Sequence, residues 1–360
     1  MPDEKFLDYY IEMSERFIPD QSSYLFFSNN KEFKYVKSNN PNIITIPFAS
    51  INSAEVHALL ATTDKVIFHS FNKDYEQLID NISGKTNLIW IFWGWEGYIT
   101  QVRKKYLENS TRKLRFNNSL MGVLKFVKNY FYNDIIVLNI GKKHSKIINL
   151  MNYCATWVKS DFELAKNINP DLKHIYFNYY TDELMQFPEA RGINPQLETI
   201  MLGNSGSPFN NHAEALEFLH EIDYKGVIYC PLSYGGNSAY KQNIERLGLK
   251  LFGNHFRPLK TFMPLKEYQD ILNSCDVIWM NHKRQQAAGN IFAGFCTGKV
   301  VILHPENPMR ETFEKWGLSL FNQNILINKG FTMQQLKDNI KIKHNLTFAE
   351  NSNFFNFLQS

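Results

Sequence analysis

The sequence has no apolar run long enough to cross a membrane and no leader of the secretory kind. No stretch of about 18 uninterrupted apolar residues occurs in the 360-residue chain. The start, Met-Pro-Asp-Glu-Lys, has no basic region followed by an apolar one. Cysteine is scarce, and no C-x-x-C pair is formed by Cys154, Cys230, Cys275 and Cys296. We therefore expect a protein of a reducing cytoplasm, without disulfides or a structural metal.

The net charge is small, +4, but it is unevenly distributed. Between Arg103 and Lys146 eleven lysines and arginines stand against two acids, Glu108 and Asp134, so this stretch carries +9 and the rest of the chain carries −5. A basic block on an otherwise acidic chain favours an anionic partner. Because no nucleic-acid-binding motif accompanies the block, we expect a membrane surface and no nucleic acid.

Short apolar runs alternate with helical patterns along most of the chain, which predicts parallel sheets with crossover helices. The length and the 44% of hydrophobic residues suffice for two cores. We expect an N-terminal domain over 1–185, a linker over 186–197 that carries Pro188, Gly192 and Pro195, a C-terminal domain over 198–340, and a helical tail over 341–360 that packs back across the cleft.

The predicted strands of the first half are Tyr24–Phe27, Ile43–Pro47, Lys65–His69, Asn87–Trp93, Ile135–Leu138, Ala155–Lys159 and His174–Phe177. Those of the second half are Glu198–Leu202, Gly226–Cys230, Asp276–Asn281 and Val300–His304. A helical pattern over Asp3–Phe17 comes first, although a doubly wound domain normally opens with a strand. Either the native start lies upstream of Met1, or the protein does without that first strand.

The stretch from Leu202 to His212, LGNSGSPFNNH, lies between a predicted strand and a predicted helix. Glycines allow a tight turn, Asn210 or Asn211 can cap the helix, and the N–H groups of its first turn can bind a diphosphate. An ordinary strand-to-helix loop explains the same residues equally well. The loop is not a Walker loop, because no Gly-Lys-Ser/Thr follows it.

Three further loops of the second half are polar in the way that a nucleotide site requires, and the carboxyl ends of parallel strands meet at one edge. Arg284 can pair bidentately with phosphate, and Glu306 can accept from ribose hydroxyls; a surface charge and a helix-dipole carboxylate are the simpler alternatives. The predicted nucleotide-sugar-binding residues are Gly203, Asn204, Ser205, Gly206, Ser233, Tyr234, Arg284, Gln285, Gln286, Glu306 and Asn307.

In the first half, His69 ends one predicted strand, and Trp90 to Tyr98, WIFWGWEGY, ends another. Aromatic faces stack on pyranose rings, and a partly desolvated Glu96 is a plausible general base. We expect Trp93 and Trp95 on the acceptor and either Glu96 or His69 in catalysis. An aromatic core with a capping Glu96, and a structural His69, are the alternatives.

The stretch from Arg112 to Tyr132 places apolar residues on one helical face and Lys113, Lys125 and Lys128 elsewhere around it. Such a stripe usually faces a core, but together with the basic block it favours contact with a bilayer interface.

These motifs together resemble the TDP-N-acetylfucosamine:lipid II N-acetylfucosaminyltransferases of enterobacterial common antigen synthesis, the 4-alpha-L-fucosyltransferase family. The resemblance runs from about Phe68 to Trp316. It rests on His69, Trp93-Gly94-x-Glu96, Leu202 to Gly206, Asn211-His212, Pro231 to Gly235, Asn237, Tyr240, Arg284-Gln285-Gln286, Gly298 and Glu306-Asn307-Pro308.

The resemblance implies an α/β fold of the GT-B type, with two facing Rossmann-like domains of parallel sheets. It implies a TDP-sugar donor held mainly by the second domain, a lipid-linked saccharide acceptor, and a peripheral place at the cytoplasmic face of the bacterial inner membrane. Two departures bear on the acceptor side and on the exact sugar: the family's first strand is missing, and Glu96 stands where Asp is more usual.

The leading hypothesis is transfer of N-acetylfucosamine or a related deoxy-amino sugar. The absence of an Asp-x-Asp motif, together with cationic and helix N-terminal groups, predicts that neither a metal nor a cofactor takes part. A nucleotide-sugar epimerase of the same fold is one alternative, and it needs no lipid acceptor and no basic block. A non-catalytic nucleotide- or glycan-binding protein is the other, and it predicts donor binding without turnover.

Overall fold

The computed structural model describes the whole chain except residues 5, 31, 72–74, 81, 83, 102, 115–137, 180–193 and 343–347. The chain divides into two compact units. Unit 1 comprises Met1–Gln101, Ile136–Leu184 and Thr347–Ser360, and unit 2 comprises Val102–Ile135 and Met185–Leu346.

The described residues of unit 1 form two parallel sheets. One pairs β1 (Tyr24–Phe27) with β2 (Ile43–Ile46), and the other has the order β3 (Lys65–His69), β4 (Asn87–Ile91), β5 (Tyr153–Ala155), β6 (Lys173–Ile175). Its helices are α1 (Leu7–Phe17), α2 (Ala54–Ala61), α3 (Tyr75–Asp80), α4 (Trp95–Tyr98), α6 (138–150 of the described residues), α7 (Lys159–Lys166) and α15 (Phe348–Gln359).

Two predicted strands of unit 1 differ from the structure. Of the predicted strand Ala155–Lys159, only Ala155 lies in a strand, at the end of β5, and Lys159 is the first residue of α7. Leu138, the last residue of the predicted strand Ile135–Leu138, lies in the helix α6, and 135–137 fall outside the described residues. The run of Ile135, Ile136, Val137 and Leu138 is apolar but too short to separate a strand from one turn of a helix. As the sequence predicts, α1 is the first described element, and no strand precedes it among the described residues.

Unit 2 is built on one parallel sheet of order β11-β10-β7-β8-β9. The strands are β7 (Thr199–Leu202), β8 (Val227–Pro231), β9 (Phe256–Leu259), β10 (Val277–Met280) and β11 (Val300–Leu303). The helices are α5 (Asn109–Leu114), α8 (His212–Glu221), α9 (Ser238–Phe252), α10 (Leu265–Ser274), α11 (Ala288–Cys296), α12 (Met309–Lys315), α13 (Ile325–Asn328) and α14 (Met333–Ile342).

The sequence pattern does not predict strand β9, because Pro258 interrupts its short apolar run. Proline has no N–H to donate, so it is tolerated at a sheet edge, and β9 is an edge strand of the unit 2 sheet.

The strand order places β7 beside β10. From this pair the chain continues in opposite directions across the sheet, from β7 to β8 on one side and from β10 to β11 on the other. In an open parallel sheet, the crevice at the carboxyl ends of such a pair is where ligands bind. The loops after β7 and β10 begin at Gly203 and Asn281, which puts two of the predicted donor loops at this point.

The segment Val102–Ile135 belongs to unit 2 rather than to the N-terminal domain that the sequence predicts for it. The Thr111 N–H and hydroxyl donate to the Glu214 carboxylate of α8 at 2.9 and 2.6 Å, and Asn243 Nδ2 of α9 donates to the Leu114 carbonyl at 2.7 Å. Both ends of α5 are therefore held by helices of unit 2, a long-range contact that local patterns do not report.

The C-terminal segment Thr347–Ser360 belongs to unit 1. Asn351 of α15 exchanges two hydrogen bonds with the backbone of Asn178, at 3.0 and 2.8 Å. Phe354 and Phe355 are fully buried, and Phe355 stacks on Phe17 of α1 at a centroid distance of 4.9 Å.

We predict that Phe355→Ala lowers the free energy of unfolding by about 3 to 5 kcal/mol, because a buried aromatic ring is removed and its cavity remains. Asn353→Ala, an exposed position on the same helix, serves as the control and changes stability by less than about 0.5 kcal/mol. Urea unfolding followed by tryptophan fluorescence measures both. Equal stability of the two variants would show that α15 is not part of the unit 1 core.

Candidate functional site

The loop after β7 is shaped by one left-handed glycine and one buried amide. Gly203 has φ +72°, and a Cβ there would lie 2.6 Å from Asn210 Oδ1 and 2.7 Å from His212 Nε2. The Asn210 side chain is fully buried, accepts from the Asn204 N–H at 2.8 Å, and donates to the carbonyls of Ser205 and Ser207 at 3.0 Å each. Only glycine fits at 203, and Asn210 holds the loop closed.

The loops after β7 and β8 meet backbone to backbone. The Gly206 N–H donates to the Tyr234 carbonyl at 2.7 Å, and a Cβ at Gly236 would lie 2.0 Å from the Gly206 carbonyl oxygen. Gly235 and Gly236 both have positive φ, +71° and +60°. The glycines of both loops are therefore required for this close approach.

A chain of hydrogen bonds joins side chains from the loops after β7, β8 and β10. Gln286 Nε2 donates to Asn204 Oδ1 at 2.9 Å, and Asn204 Nδ2 donates to the Tyr234 hydroxyl at 3.2 Å. Arg284 donates to Gln286 Oε1 from Nε at 3.2 Å and from Nη2 at 3.0 Å. The Arg284 guanidinium also lies over the Phe209 ring, 4.0 Å from its centroid, a cation–π contact. Four of the predicted nucleotide-sugar-binding residues thus form one hydrogen-bond network.

This network holds the Arg284 guanidinium at the carboxyl edge of the unit 2 sheet, where α8 begins. Asn211, the N-cap of α8, is in the left-handed region and makes no side-chain cap; its Nδ2 donates instead to the Asn281 carbonyl at 3.1 Å, and Asn281 Nδ2 returns a bond of 3.1 Å to the Asn211 carbonyl. The exchange fixes the loops after β7 and β10 to each other. A helix N-terminus beside a guanidinium favours a ligand with phosphate charge.

A second charged cluster lies at the ends of β10 and β11. Lys283 Nζ lies 3.0 Å from Glu108 Oε1 and 2.7 Å from Glu306 Oε1, and His304 Nε2 lies 3.2 Å from Glu108 Oε1. Burial of Glu108 acts to raise its pKa, but Lys283 and His304 outweigh it and hold the pKa below its usual value. Glu108, His304 and Glu306 have the donor types of a metal site. Lys283 Nζ already supplies the cation between the two carboxylates, so this cluster does not fit a metal.

Two of the predicted nucleotide-sugar-binding residues, Asn307 and Ser205, are buried and stabilise the loops through their hydrogen bonds. Asn307 is buried, donates from Nδ2 to the His282 carbonyl at 3.0 Å, and accepts from the Met309 N–H at 3.0 Å. Ser205 is buried beside Asn210. Ser233 and Gln285 are half-buried in the loops after β8 and β10.

In unit 1, His69, Trp93 and Tyr179 meet at the carboxyl edge of the four-stranded sheet. Tyr179 Oη lies 2.6 Å from His69 Nδ1 and accepts from Trp93 Nε1 at 2.8 Å. The sequence analysis does not single out Tyr179, although it lies two residues after the predicted strand His174–Phe177, and that position is the available signal. The structure brings two predicted acceptor-side residues together through it.

Glu96 is fully buried at the first turn of α4. Its Oε1 accepts from the Trp93 N–H at 2.7 Å and from Trp90 Nε1 at 3.1 Å, and Oε2 has no hydrogen-bond partner among the described residues. Burial raises the pKa of Glu96 to about 7, although these hydrogen bonds lower it. The carboxyl therefore closes the turn, and its raised pKa is that of a group suited to proton transfer near neutral pH.

The surroundings of Glu96 are acidic and aromatic. Burial likewise raises the pKa of Asp161 to about 7, helped by the charge of Glu96, while the Tyr98 hydroxyl donates to Asp161 at 2.5 Å. Trp95 is 45% exposed and packs edge-on against His144, and Trp93 is half-buried. Trp95 is therefore the more accessible of the two predicted acceptor-binding tryptophans.

Of the predicted membrane-contact lysines, Lys113 is exposed on α5, and Lys125 and Lys128 lie outside the described residues. No helix in the described part of the chain is long and apolar enough to span a bilayer.

The chain resembles solved glycosyltransferases over nearly its whole length. Sucrose-phosphate synthase of Thermosynechococcus elongatus matches with a TM-score of 0.63 at 9% identity, over 96% of this chain and 90% of that one. HepE of Anabaena, in complex with UDP and glucose, matches with a TM-score of 0.57 at 12% identity, over 98% of this chain and 96% of that one. The chain spans about half, 53%, of the length of TarM, a match with a TM-score of 0.47.

The likenesses to sucrose-phosphate synthase and HepE confirm the predicted GT-B-type α/β fold with parallel sheets. The sequence profile of the 4-alpha-L-fucosyltransferases, glycosyl transferase group 56, matches residues 153–356. That match covers more than half of the chain, so the protein belongs to the 4-alpha-L-fucosyltransferase family and is a glycosyltransferase.

Proposed function

We propose that the protein transfers N-acetylfucosamine, or a related deoxy-amino sugar, from a TDP-sugar to a polyprenyl-diphosphate-linked saccharide. The observation that carries the proposal is the network of Tyr234, Asn204, Gln286 and Arg284 at the point of the unit 2 sheet where ligands bind. Family membership supports the sugar class, and the motifs that resemble the common-antigen enzymes support the TDP donor and the lipid-linked acceptor.

On the donor side, Arg284 and the N-terminus of α8 supply the positive charge that a diphosphate needs. Gly203 and Gly206 shape the donor loop, because a Cβ at either position would clash with Asn210 or Lys241. The side chains that reach the ligand are Asn204, Ser233, Tyr234, Gln285 and Gln286. Ser205 and Asn307 act by holding the loops. Since HepE of Anabaena holds UDP in its complex, a nucleoside diphosphate is a ligand that this fold accommodates.

Glu306 would accept from a ribose hydroxyl with one oxygen while Lys283 keeps its pairing with the other. This role is compatible with its position, because Glu306 is exposed in the loop after β11. Ribose contact by an exposed carboxylate needs no metal.

On the acceptor side, Glu96 serves as the general base. The acceptor oxygen forms a bond to the anomeric carbon, the bond from that carbon to the diphosphate oxygen breaks, and the proton of the acceptor hydroxyl passes to Glu96 Oε2. A base with a pKa near the working pH is suited to this transfer. Trp93 and Trp95 supply the aromatic faces for the acceptor sugar.

At the donor site, we predict that Arg284→Ala weakens TDP binding about 10- to 150-fold, because a charge-assisted hydrogen bond to phosphate contributes about 1.5 to 3 kcal/mol. Titration calorimetry with TDP measures this. Arg257→Ala, which removes an exposed arginine from β9, is the matched control and leaves the affinity unchanged. Unaltered affinity in a folded Arg284→Ala variant would disprove the assignment.

At the acceptor site, we predict that Glu96→Gln lowers turnover about a hundredfold or more while TDP binding persists. The amide oxygen of Gln retains the bonds to Trp93 and Trp90, so the turn stays closed. Because a base works only when deprotonated, wild-type turnover falls as the pH drops below about 7, the pKa of Glu96. Glu163→Gln, at an exposed site on α7, is the control. Near-normal turnover of Glu96→Gln would leave Glu96 a purely structural residue.

The basic block predicts reversible attachment to anionic membranes, since each lysine or arginine near an anionic surface contributes about 1 kcal/mol. We expect vesicle co-sedimentation to increase with anionic lipid, decrease with salt, and drop when Lys113, Lys125 and Lys128 are changed to Gln. Lys225, Lys250 and Lys315, changed together to Gln, remove the same charge elsewhere on unit 2. Equal binding to neutral and anionic vesicles, or an equal loss in both triple variants, would refute the proposed surface.

A further inference from the structure

Two side chains, Trp93 and His69, contact the Tyr179 hydroxyl, and their chemistry determines the direction of both hydrogen bonds. Trp93 Nε1 donates to Tyr179 Oη at 2.8 Å, and His69 Nδ1 lies 2.6 Å from the same oxygen. Tyr179 and His69 are both buried, 9% and 2% exposed. Among the described residues, the Tyr179 hydroxyl makes no third hydrogen bond.

The positions of the protons follow from counting donors and acceptors. An indole N–H is only a donor, so the Trp93 bond uses one lone pair of the Tyr179 oxygen. The phenol has one proton, and His69 Nδ1 is the one acceptor of that proton among the described residues. If Nδ1 carried a proton instead, both neighbours would donate to Tyr179 and its own buried O–H would have no described acceptor, at a cost of about 1 to 3 kcal/mol.

His69 is also neutral in this place. Burial lowers the pKa of His69 well below its usual value, and an edge-on ring of Tyr10, with a centroid distance of 4.1 Å, covers it. A neutral imidazole carries one proton, so an Nδ1 that accepts from Tyr179 leaves the proton on Nε2.

We propose that Tyr179 is a positioning residue that fixes His69 in the tautomer with its proton on Nε2, so that His69 takes part as a hydrogen-bond donor and not as the base. Both ring nitrogens are then unable to receive the proton of an acceptor hydroxyl. This rests on the proposed function, and of its two candidate bases it leaves Glu96. An Nε2–H suits an oxygen of the substrate, either a sugar hydroxyl or a phosphate oxygen.

The Tyr179 hydroxyl also orients Trp93, one of the two tryptophans proposed to contact the acceptor sugar. Trp93 is held twice, through its indole N–H by Tyr179 and through its backbone N–H by Glu96 Oε1. Loss of the Tyr179 hydroxyl therefore disturbs the tautomer of His69 and the ring of Trp93 together, while the Glu96 contact with the Trp93 backbone is untouched.

The direct test is the nitrogen spectrum of histidine-labelled protein at pH 7.5, with the His69 signal identified by its loss in His69→Gln. We expect the Nδ1 shift of a hydrogen-bond-accepting, unprotonated nitrogen and the Nε2 shift of a protonated one. In Tyr179→Phe the two shifts move towards each other as the tautomers mix. A proton on Nδ1, or an imidazolium, in the wild-type protein would overturn the proposal.

Kinetics separates a positioning role from general structural damage. Tyr179→Phe should reduce kcat/KM for the acceptor about three- to tenfold, as for loss of one or two buried hydrogen bonds, with TDP affinity unchanged. Tyr24→Phe, which loses a hydrogen bond of 2.7 Å to Glu15 in the same unit, is the matched control and leaves both quantities unchanged. An equal effect of the two variants would contradict the positioning role.

The pH profile distinguishes the two candidate bases. If His69 is only a donor, His69→Gln keeps the decline of turnover below about pH 7, and Glu96→Gln removes it. If the decline disappears in His69→Gln, His69 is the base and the proposal fails, although transfer from the TDP-sugar still stands. Failure of the wild-type protein to bind TDP or transfer the sugar would instead reject the proposed function, and the nitrogen spectrum would still report the tautomer.

Discussion

The hydrogen bond from the Gly206 N–H to the Tyr234 carbonyl is the contact on which the donor site depends, because it brings two loops together with no side chain between them. A Cβ at Gly236 would lie 2.0 Å from the Gly206 carbonyl oxygen, so the approach is possible only for glycine. The backbone contact brings Tyr234 within reach of Asn204, Asn204 accepts from Gln286, and Gln286 accepts from Arg284. The side-chain network that holds the guanidinium therefore includes residues from both of the loops that this backbone contact joins.

At the edge of the unit 1 sheet, the loops are held by large side chains and buried acids rather than by glycines and backbone contacts. Glu96 closes the turn after β4 by accepting from the Trp93 N–H. The Trp93 indole in turn donates to the Tyr179 hydroxyl, which also contacts His69. Burial acts on each group according to the sign of its charge: it raises the pKa of the carboxyl and lowers that of the imidazole. Both are consequently available in uncharged forms near neutral pH, which suits proton exchange in one case and donation in the other.

Local patterns predicted most of the framework, and they did so where a residue's neighbours along the chain decide its conformation. The described strands β7, β8, β10 and β11 overlap predicted ones, since continuous apolar runs of four or five residues are typical of buried parallel strands. The edge strand β9 and the helical state of Leu138 were not predicted correctly. Pro258 obscures β9 and is tolerated there because β9 lies at the edge of the sheet, and the apolar run that ends at Leu138 is too short to separate a strand from a helix.

The sequence by itself determined the alternation of strands and helices, the glycine loops that end them, the basic block and the family motifs, because each is a property of residues close together in the chain. Only the tertiary structure decided that the segment around Thr111 packs on α8 and α9, that Asn307 and Ser205 hold loops, and that Lys283 fills the space among Glu108 and Glu306. It alone placed Tyr179 between His69 and Trp93, residues that lie 110 and 86 positions away. The physical reason is that hydrogen-bond partners and burial depend on which distant groups meet, and burial determines the protonation that catalysis uses.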